Sequence, residues 1–193
     1  MKYCLNNKGF TLIELMVSVG IFALMTTLLV AKFGTFNQGV LLSNVAYDVA
    51  LTIRNAQSYG LNVKSSLRTG NEFNHPYGVH FVKGNSFIFF ADKKSDGYYV
   101  LGDDVTVDTP ATVTTIKGNT EISSICITIA GTCNALDSLD ITFKRPDPNA
   151  IIKSKDSSGN LVSGSYAKIT LKSSDGSTKI VEILSTGQIA VKN

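Results

Sequence analysis

Three patterns of apolar and polar positions divide this chain. From Phe10 to Ala31 apolar residues run almost unbroken, interrupted by Glu14 and by a few small or hydroxyl side chains. Such a run offers no polar face to water. Coiled as a helix at about 1.5 Å per residue it reaches roughly 33 Å, enough to cross a bilayer core. From Leu42 the pattern changes. Leu42, Val45, Ala46, Val49, Ala50, Ile53 and Ala56 recur at three- and four-residue steps, with Asn44, Tyr47, Asp48, Arg54 and Asn55 between them. That spacing predicts an amphipathic helix with one face to bury. Gly34 and Gly39 lie at the join, each costing about 1 kcal/mol relative to alanine inside a helix. The two halves together predict one long helix from Phe10 to about Tyr59, lipid-embedded first and packed on a sheet later, with Gly60-Leu61-Asn62 as its stop.

Beyond the helix the period shortens to two. Gly78 to Val82 and Ser86 to Ala91 flank Lys83-Gly84-Asn85, a hairpin signal. Further strands are expected at Ala111 to Ile116, Glu121 to Ile129, Leu139 to Phe143, Tyr166 to Lys172, Lys179 to Leu184 and Gln188 to Val191. Ser174-Asp175-Gly176 and Thr186-Gly187 supply turns between the last three. Ala167, Ile169 and Leu171 alternate with Lys168, Thr170 and Lys172, so one face is buried and the other wet. Pro146-Asp147-Pro148 and the stretch Ser154 to Gly164 read as exposed loop. The expected fold class is therefore α+β, a long N-terminal helix whose second half lies on an antiparallel sheet or sandwich.

Composition fits one anchored domain. The chain has 193 residues and a formal net charge of +3, with three arginines (Arg54, Arg68, Arg145) too scattered to form a basic patch. The leader carries Lys2 and Lys8 and no acid, which holds its end in the cytoplasm while the rest crosses. Cys4 belongs to that leader. Cys126 and Cys133 fall in a segment expected outside the cytoplasm, where a disulfide is the natural outcome and two free buried thiols the alternative. Two cysteines and two distant histidines lack the paired spacing of a zinc site.

Catalytic signatures are missing from the sequence. No Gly-x-Ser-x-Gly, His-Glu-x-x-His or phosphate loop occurs. His80, alternating with Val79 and Phe81, reads as a solvent-face or edge residue rather than a base. Asp92-Lys-Lys-Ser-Asp-Gly97 and Gly102-Asp-Asp104 read as solvated turns; they lack the alternating oxygen ligands of a calcium loop. Phe87, Phe89, Phe90, Tyr98 and Tyr99 read as core plus one exposed ring, because a nucleic-acid stacking platform would interleave more basic residues than Lys93 and Lys94. No metal and no cofactor is expected, and the chain is not expected to be an enzyme.

Glu14 is the most informative residue. A carboxylate inside a membrane span costs roughly 2.5–3.5 kcal/mol and is rarely kept without a partner. A secretory signal peptide would end in a small-residue cleavage site, which this run lacks, and a plain anchor explains neither the acid nor the abrupt Gly9-Phe10 boundary. The motif Lys8-Gly9-Phe10-Thr11-Leu12-Ile13-Glu14-Leu15 resembles the class III signal of type IV pilins and of the pilin-like proteins of type II secretion. The resemblance implies cleavage after Gly9 by a prepilin peptidase that also methylates the new amine of Phe10. It also implies assembly with other pilin or pseudopilin subunits on an inner-membrane platform with its ATPase. Glu14 would there be compensated by the N-terminal amine of a neighbouring Phe10.

Residues Leu139 to Ala150 and the closing strands through Leu184-Ser-Thr-Gly-Gln-Ile-Ala-Val191 resemble the C-terminal half of H-type pseudopilins and related minor pilins. The implied divisions are a leader at 1–9, a transmembrane or filament-core helix at 10–31, its amphipathic continuation at 32–60 and a β-rich domain at 61–193. The chain would be a single-pass inner-membrane protein before assembly, its β domain in the periplasm or on a surface filament. Two alternatives stand beside this: a membrane-anchored binding module that never polymerises, and a competence minor pilin that binds DNA. The low charge makes nucleic acid an unlikely partner.

Overall fold

The computed structural model describes residues 9–62, 75–101, 105–106, 113–129, 131–155 and 160–193; for 31–36 and 105–106 only the backbone is described. The leader residues 1–8, the Gly102-Asp103-Asp104 cluster and the predicted strand start at Ala111 lie outside these. One helix, α1 at Leu12–Leu61, is followed by β1 (Tyr77–Val82), β2 (Ser86–Ala91), β3 (Val105–Thr106), β4 (Val113–Thr115), β5 (Thr120–Ile129) and β6 (Thr132–Leu136). Then come β7 (Ser138–Lys144), β8 (Asp147–Lys155), β9 (Leu161–Gly164), β10 (Tyr166–Ser173), β11 (Thr178–Leu184) and β12 (Ile189–Lys192). The chain divides into two units, Met1–Asn37 and Gln38–Asn193.

The first unit contributes the apolar part of α1. Its large side chains from Leu12 to Val30 are exposed. The polar groups within it are satisfied locally: the hydroxyls of Ser18, Thr26 and Thr27 donate to the carbonyls of Glu14, Phe22 and Ala23. Such back-bonding removes the cost of a free hydroxyl in an apolar surrounding.

In the second unit, Leu42, Val45, Ala46, Val49, Ala50, Ile53 and Ala56 are all at most 5% exposed, the helical face the sequence spacing marks out. They belong to one apolar cluster with residues from two sheets. One sheet runs β3-β2-β1-β7-β8-β9, with β4 also paired to β2; the other runs β12-β11-β10-β5-β6. All the ladders are antiparallel. The core side of the first sheet is Val79, Phe81, Phe87, Leu139, Ile141 and Phe143, and that of the second includes Ile125, Ile127, Ala167, Ile169, Leu171, Val181 and Ile183. The α+β class, with an N-terminal helix and antiparallel sheets, is what the structure has.

Two local readings change. Pro146-Asp147-Pro148 and Ser154 to Gly164 are not loop throughout: a tight turn with a cis Arg145-Pro146 bond leads straight into β8, and β9 follows. The sequence hides this because β8 opens with polar and proline residues. Pro148 is tolerated at the strand start, next to a register shift at Phe143/Lys144. Thr132–Leu136, unassigned by pattern because four of its five residues are exposed, is an edge strand. α1 ends at Leu61, within the expected Gly60-Leu61-Asn62 stop, and an added Cβ on Gly60 would meet the Phe143 carbonyl oxygen at 2.4 Å. This glycine lets the helix approach β7 closely.

Candidate functional site

Gly9, Phe10 and Glu14 sit at the head of α1. Gly9 and Phe10 precede the helix, and Phe10 is 79% exposed. Thr11 caps it: its Oγ1 accepts a hydrogen bond from the backbone N–H of Glu14 at 3.3 Å. Thr11-x-x-Glu14 is the order of a capping box, and an acid in the first turn faces the positive end of the helix dipole. Glu14 therefore has a local role, its carboxylate placed beside the positive end of the helix dipole. Thr11 is a capping residue beyond the expected site set, and its sequence signal is the Thr-x-x-Glu spacing.

Cys126 and Cys133 form a disulfide, with Cα atoms 5.6 Å apart. The register shows why they meet: β5 pairs with β6 so that Cys126 opposes Ala135 and Cys133 opposes Thr128, a diagonal across one ladder. The bridge fastens the exposed edge strand β6 to β5, whose Ile125 and Ile127 are core.

The outer side of the first sheet corrects the reading of His80. It is neither on an edge nor free in solvent. His80 Nδ1 lies 2.6 Å from Asp140 Oδ1, and the Asp140 side chain is only 4% exposed. The pair is a cross-strand neighbour pair of β1 and β7, and Tyr99 covers it with ring centroids 4.9 Å apart. The 92–101 segment crosses this face. Tyr99 also meets Phe90, while Lys153 and Lys155 lie over the Tyr98 ring. The 93–96 tip of the Asp92–Gly97 turn is exposed, as the solvated-turn reading expects, but Asp92 at its base is fully buried, its carboxylate accepting from the backbone N–H of Gly97 at 2.7 Å. Of the aromatic set, Phe87, Phe90 and Tyr98 are buried and Phe89 and Tyr99 half-buried; none is the exposed ring expected. Among the described residues no cluster of three or more His, Cys, Asp or Glu side chains is placed to hold a metal.

On the outer face of the second sheet, Glu182 accepts from Lys192 Nζ at 2.7 Å, with Lys168 Nζ 3.9 Å away. The hydrogen bond from Lys192, and then one from Tyr166, hold the Glu182 carboxyl below its ordinary value. Burial, with the Glu182 hydrogen bond second, pushes the Tyr166 phenol up to about 12. This network is polar glue between β10, β11 and β12, with no open position for a reacting group.

Residues 4–30 match the family described as the prokaryotic N-terminal methylation motif. Leu12–Val30 is a 19-residue stretch of mean hydropathy 2.2, long and apolar enough to cross a membrane. Motif and apolar helix together fit a type IV pilin-like prepilin signal, which implies processing by a prepilin peptidase and assembly with other pilins. They fit a single-pass membrane anchor with the C-terminal domain on the other side. No curated protein and no solved structure matches the chain.

Proposed function

We propose that this chain is a structural subunit of a type IV pilus or a type II secretion pseudopilus. Prepilin peptidase cuts it after Gly9 and methylates Phe10, and it is assembled on an inner-membrane platform through its N-terminal helix. The observation that carries this reading is the Gly9-Phe10 junction followed by Glu14 at the head of an apolar helix whose large side chains are exposed. In lipid, the Glu14 carboxylate is costly; beside the amine of a neighbouring Phe10 the cost is offset. The chain acts as building material and turns over no substrate. Residues 1–9 are the leader, 10–31 the membrane and filament-core helix, 32–60 its continuation and 61–193 the exported β-rich part.

Intact-mass analysis of membrane-extracted protein tests the processing step. The expected mass starts at a methylated Phe10, and a chain retaining residues 1–9 in cells with active peptidase would count against the reading. Gly9→Val blocks the cut. Glu14→Ala leaves the processed chain in the membrane but removes it from sheared filaments. A wild-type chain that is processed yet never found in filaments would instead indicate a non-polymerising anchored module.

A further inference from the structure

Between the β1–β2 turn, the turn leading into β5 and the end of β10 lies an open cleft of about 490 Å³, within the size range of small-molecule sites. Asn85, Asn119, Thr120, Glu121, Lys172 and Ser174 line it. Main-chain hydrogen bonds fix its rim. Gly84 and Ile122 exchange a reciprocal pair of 3.0 and 2.6 Å. The Asn85 carbonyl accepts from the Ile116 N–H at 2.7 Å, and the Asn119 carbonyl from the Ser174 N–H at 3.0 Å. The cleft is thus formed before any ligand arrives, which keeps the ordering cost of binding low.

Its hydrogen-bonding capacity is largely unused. Thr120 is 3% exposed, and its Oγ1 has no hydrogen-bond partner. Ser173, opposite it on β10, is the contrast, because its hydroxyl donates to Gln38 Oε1 at 3.3 Å. Glu121 and Lys172 also oppose each other on this ladder, yet among the described residues they form no ion pair. A buried hydroxyl left without a partner costs free energy that an incoming polar group recovers.

The wall chemistry selects the ligand. Glu121 disfavours an anion, and Lys172 disfavours a cation. No aliphatic or aromatic side chain among the described residues lines the cleft, so an apolar group gains nothing there. Amides, hydroxyls, a carboxylate and an ammonium together offer both donors and acceptors. A neutral ligand whose substituents each donate and accept meets all of them, and a sugar ring is such a ligand.

We propose that this cleft is a binding site for a neutral saccharide, held by the side chains of Asn85, Asn119, Glu121 and Lys172, with one sugar hydroxyl paired to Thr120 Oγ1. With no ring to stack on, binding is weak, with a Kd on the order of 1 mM.

The test uses the full chain in a detergent without a sugar headgroup. Saturation-transfer NMR and calorimetry are run with a panel of neutral mono- and disaccharides, with sialic acid, inorganic phosphate and calcium as charged contrasts. At least one neutral saccharide binds saturably, and the charged probes do not displace it. Thr120→Val keeps the shape and removes the hydroxyl. It weakens that saccharide about tenfold, as does Asn119→Ala, and leaves the ligand-free chain at least as stable, since the lost hydroxyl had no partner. No saturable binding of any neutral saccharide, its displacement by a charged probe, or unchanged affinity in both variants would each overturn the proposal. A Thr120→Val chain destabilised without ligand would overturn it too, because the hydroxyl would then have a structural partner.

Discussion

Glu182 shows how a single side chain sets a pH response. Lys192, Tyr166 and Lys168 converge on it from neighbouring strands, and the resulting fall in its pKa means the folded chain binds this proton less readily than the unfolded chain. Its contribution to stability is therefore complete above the ordinary glutamate value of 4.5 and is lost as pH falls through the lower folded value. Tyr166, raised to about 12, acts in the opposite sense: its contribution is present below the ordinary value of 10.0 and lost as pH rises through the folded value. Denaturant melts of wild type and Glu182→Gln from pH 7 down to 3 check the acid limb. The variant is expected to be less stable at pH 7 and to show a shallower loss below 4.5, and parallel curves would refute the assignment. At the same scale, Gly187 explains a residue that reads only as a hairpin turn in sequence. Its φ is +84°, and an added Cβ would meet the Pro148 carbonyl oxygen at 2.4 Å and Gln57 Nε2 at 2.6 Å. The turn is where α1, through Gln57, is fastened to both the β8 start and the last hairpin.

Among elements, β6 depends most on a covalent tie. It has one neighbour, β5, and four of its five residues are exposed, so burial contributes little to holding it. Closing the short loop between Cys126 and Cys133 contributes about 2–3 kcal/mol by restricting the unfolded chain. Replacing both cysteines by serine should lower the stability of the β-rich unit by that amount while leaving cleavage after Gly9 untouched. Equilibrium unfolding with and without reductant measures the first, and intact mass the second. A wild type whose unfolding curve is the same in reductant would remove the claim. α1 was legible over its whole length because burial followed the heptad-like spacing from Leu42 to Ala56 without exception. β10 was legible for the matching reason at period two: Ala167, Ile169 and Leu171 are fully buried. β8 was not, since its polar, Pro148-containing start obeys the pairing to β7 rather than any alternation of its own.

For the whole molecule the charge balance decides which partners fit. Cleavage after Gly9, as proposed, would remove Lys2 and Lys8 and leave a net side-chain charge of +1. Several of the remaining lysines are already engaged: Lys83 with Asp137, and Lys168 and Lys192 with Glu182. Duplex DNA binding draws on many phosphate contacts and the counterions they release, and a net side-chain charge of +1 with three scattered arginines favours little of it. Detergent-solubilised mature protein is therefore expected to show no sub-micromolar mobility shift at low salt. A salt-sensitive shift abolished by replacing Lys168, Lys172 and Lys179 would move the chain to DNA uptake.

The sequence by itself determined the head of the chain. Processing junction, acid and apolar run are read within one short segment, since peptidase recognition and lipid partitioning depend on local order and hydropathy. It also determined which helical face is buried, because a period of 3.6 admits one apolar side. Tertiary structure alone decided what depends on partners distant in sequence. The pairing of a half-buried His80 with Asp140 comes from β1 lying beside β7, 60 residues away, and from the 92–101 segment crossing over them. Pattern assigns a residue to a face, but only the packed neighbours determine whether that face is covered.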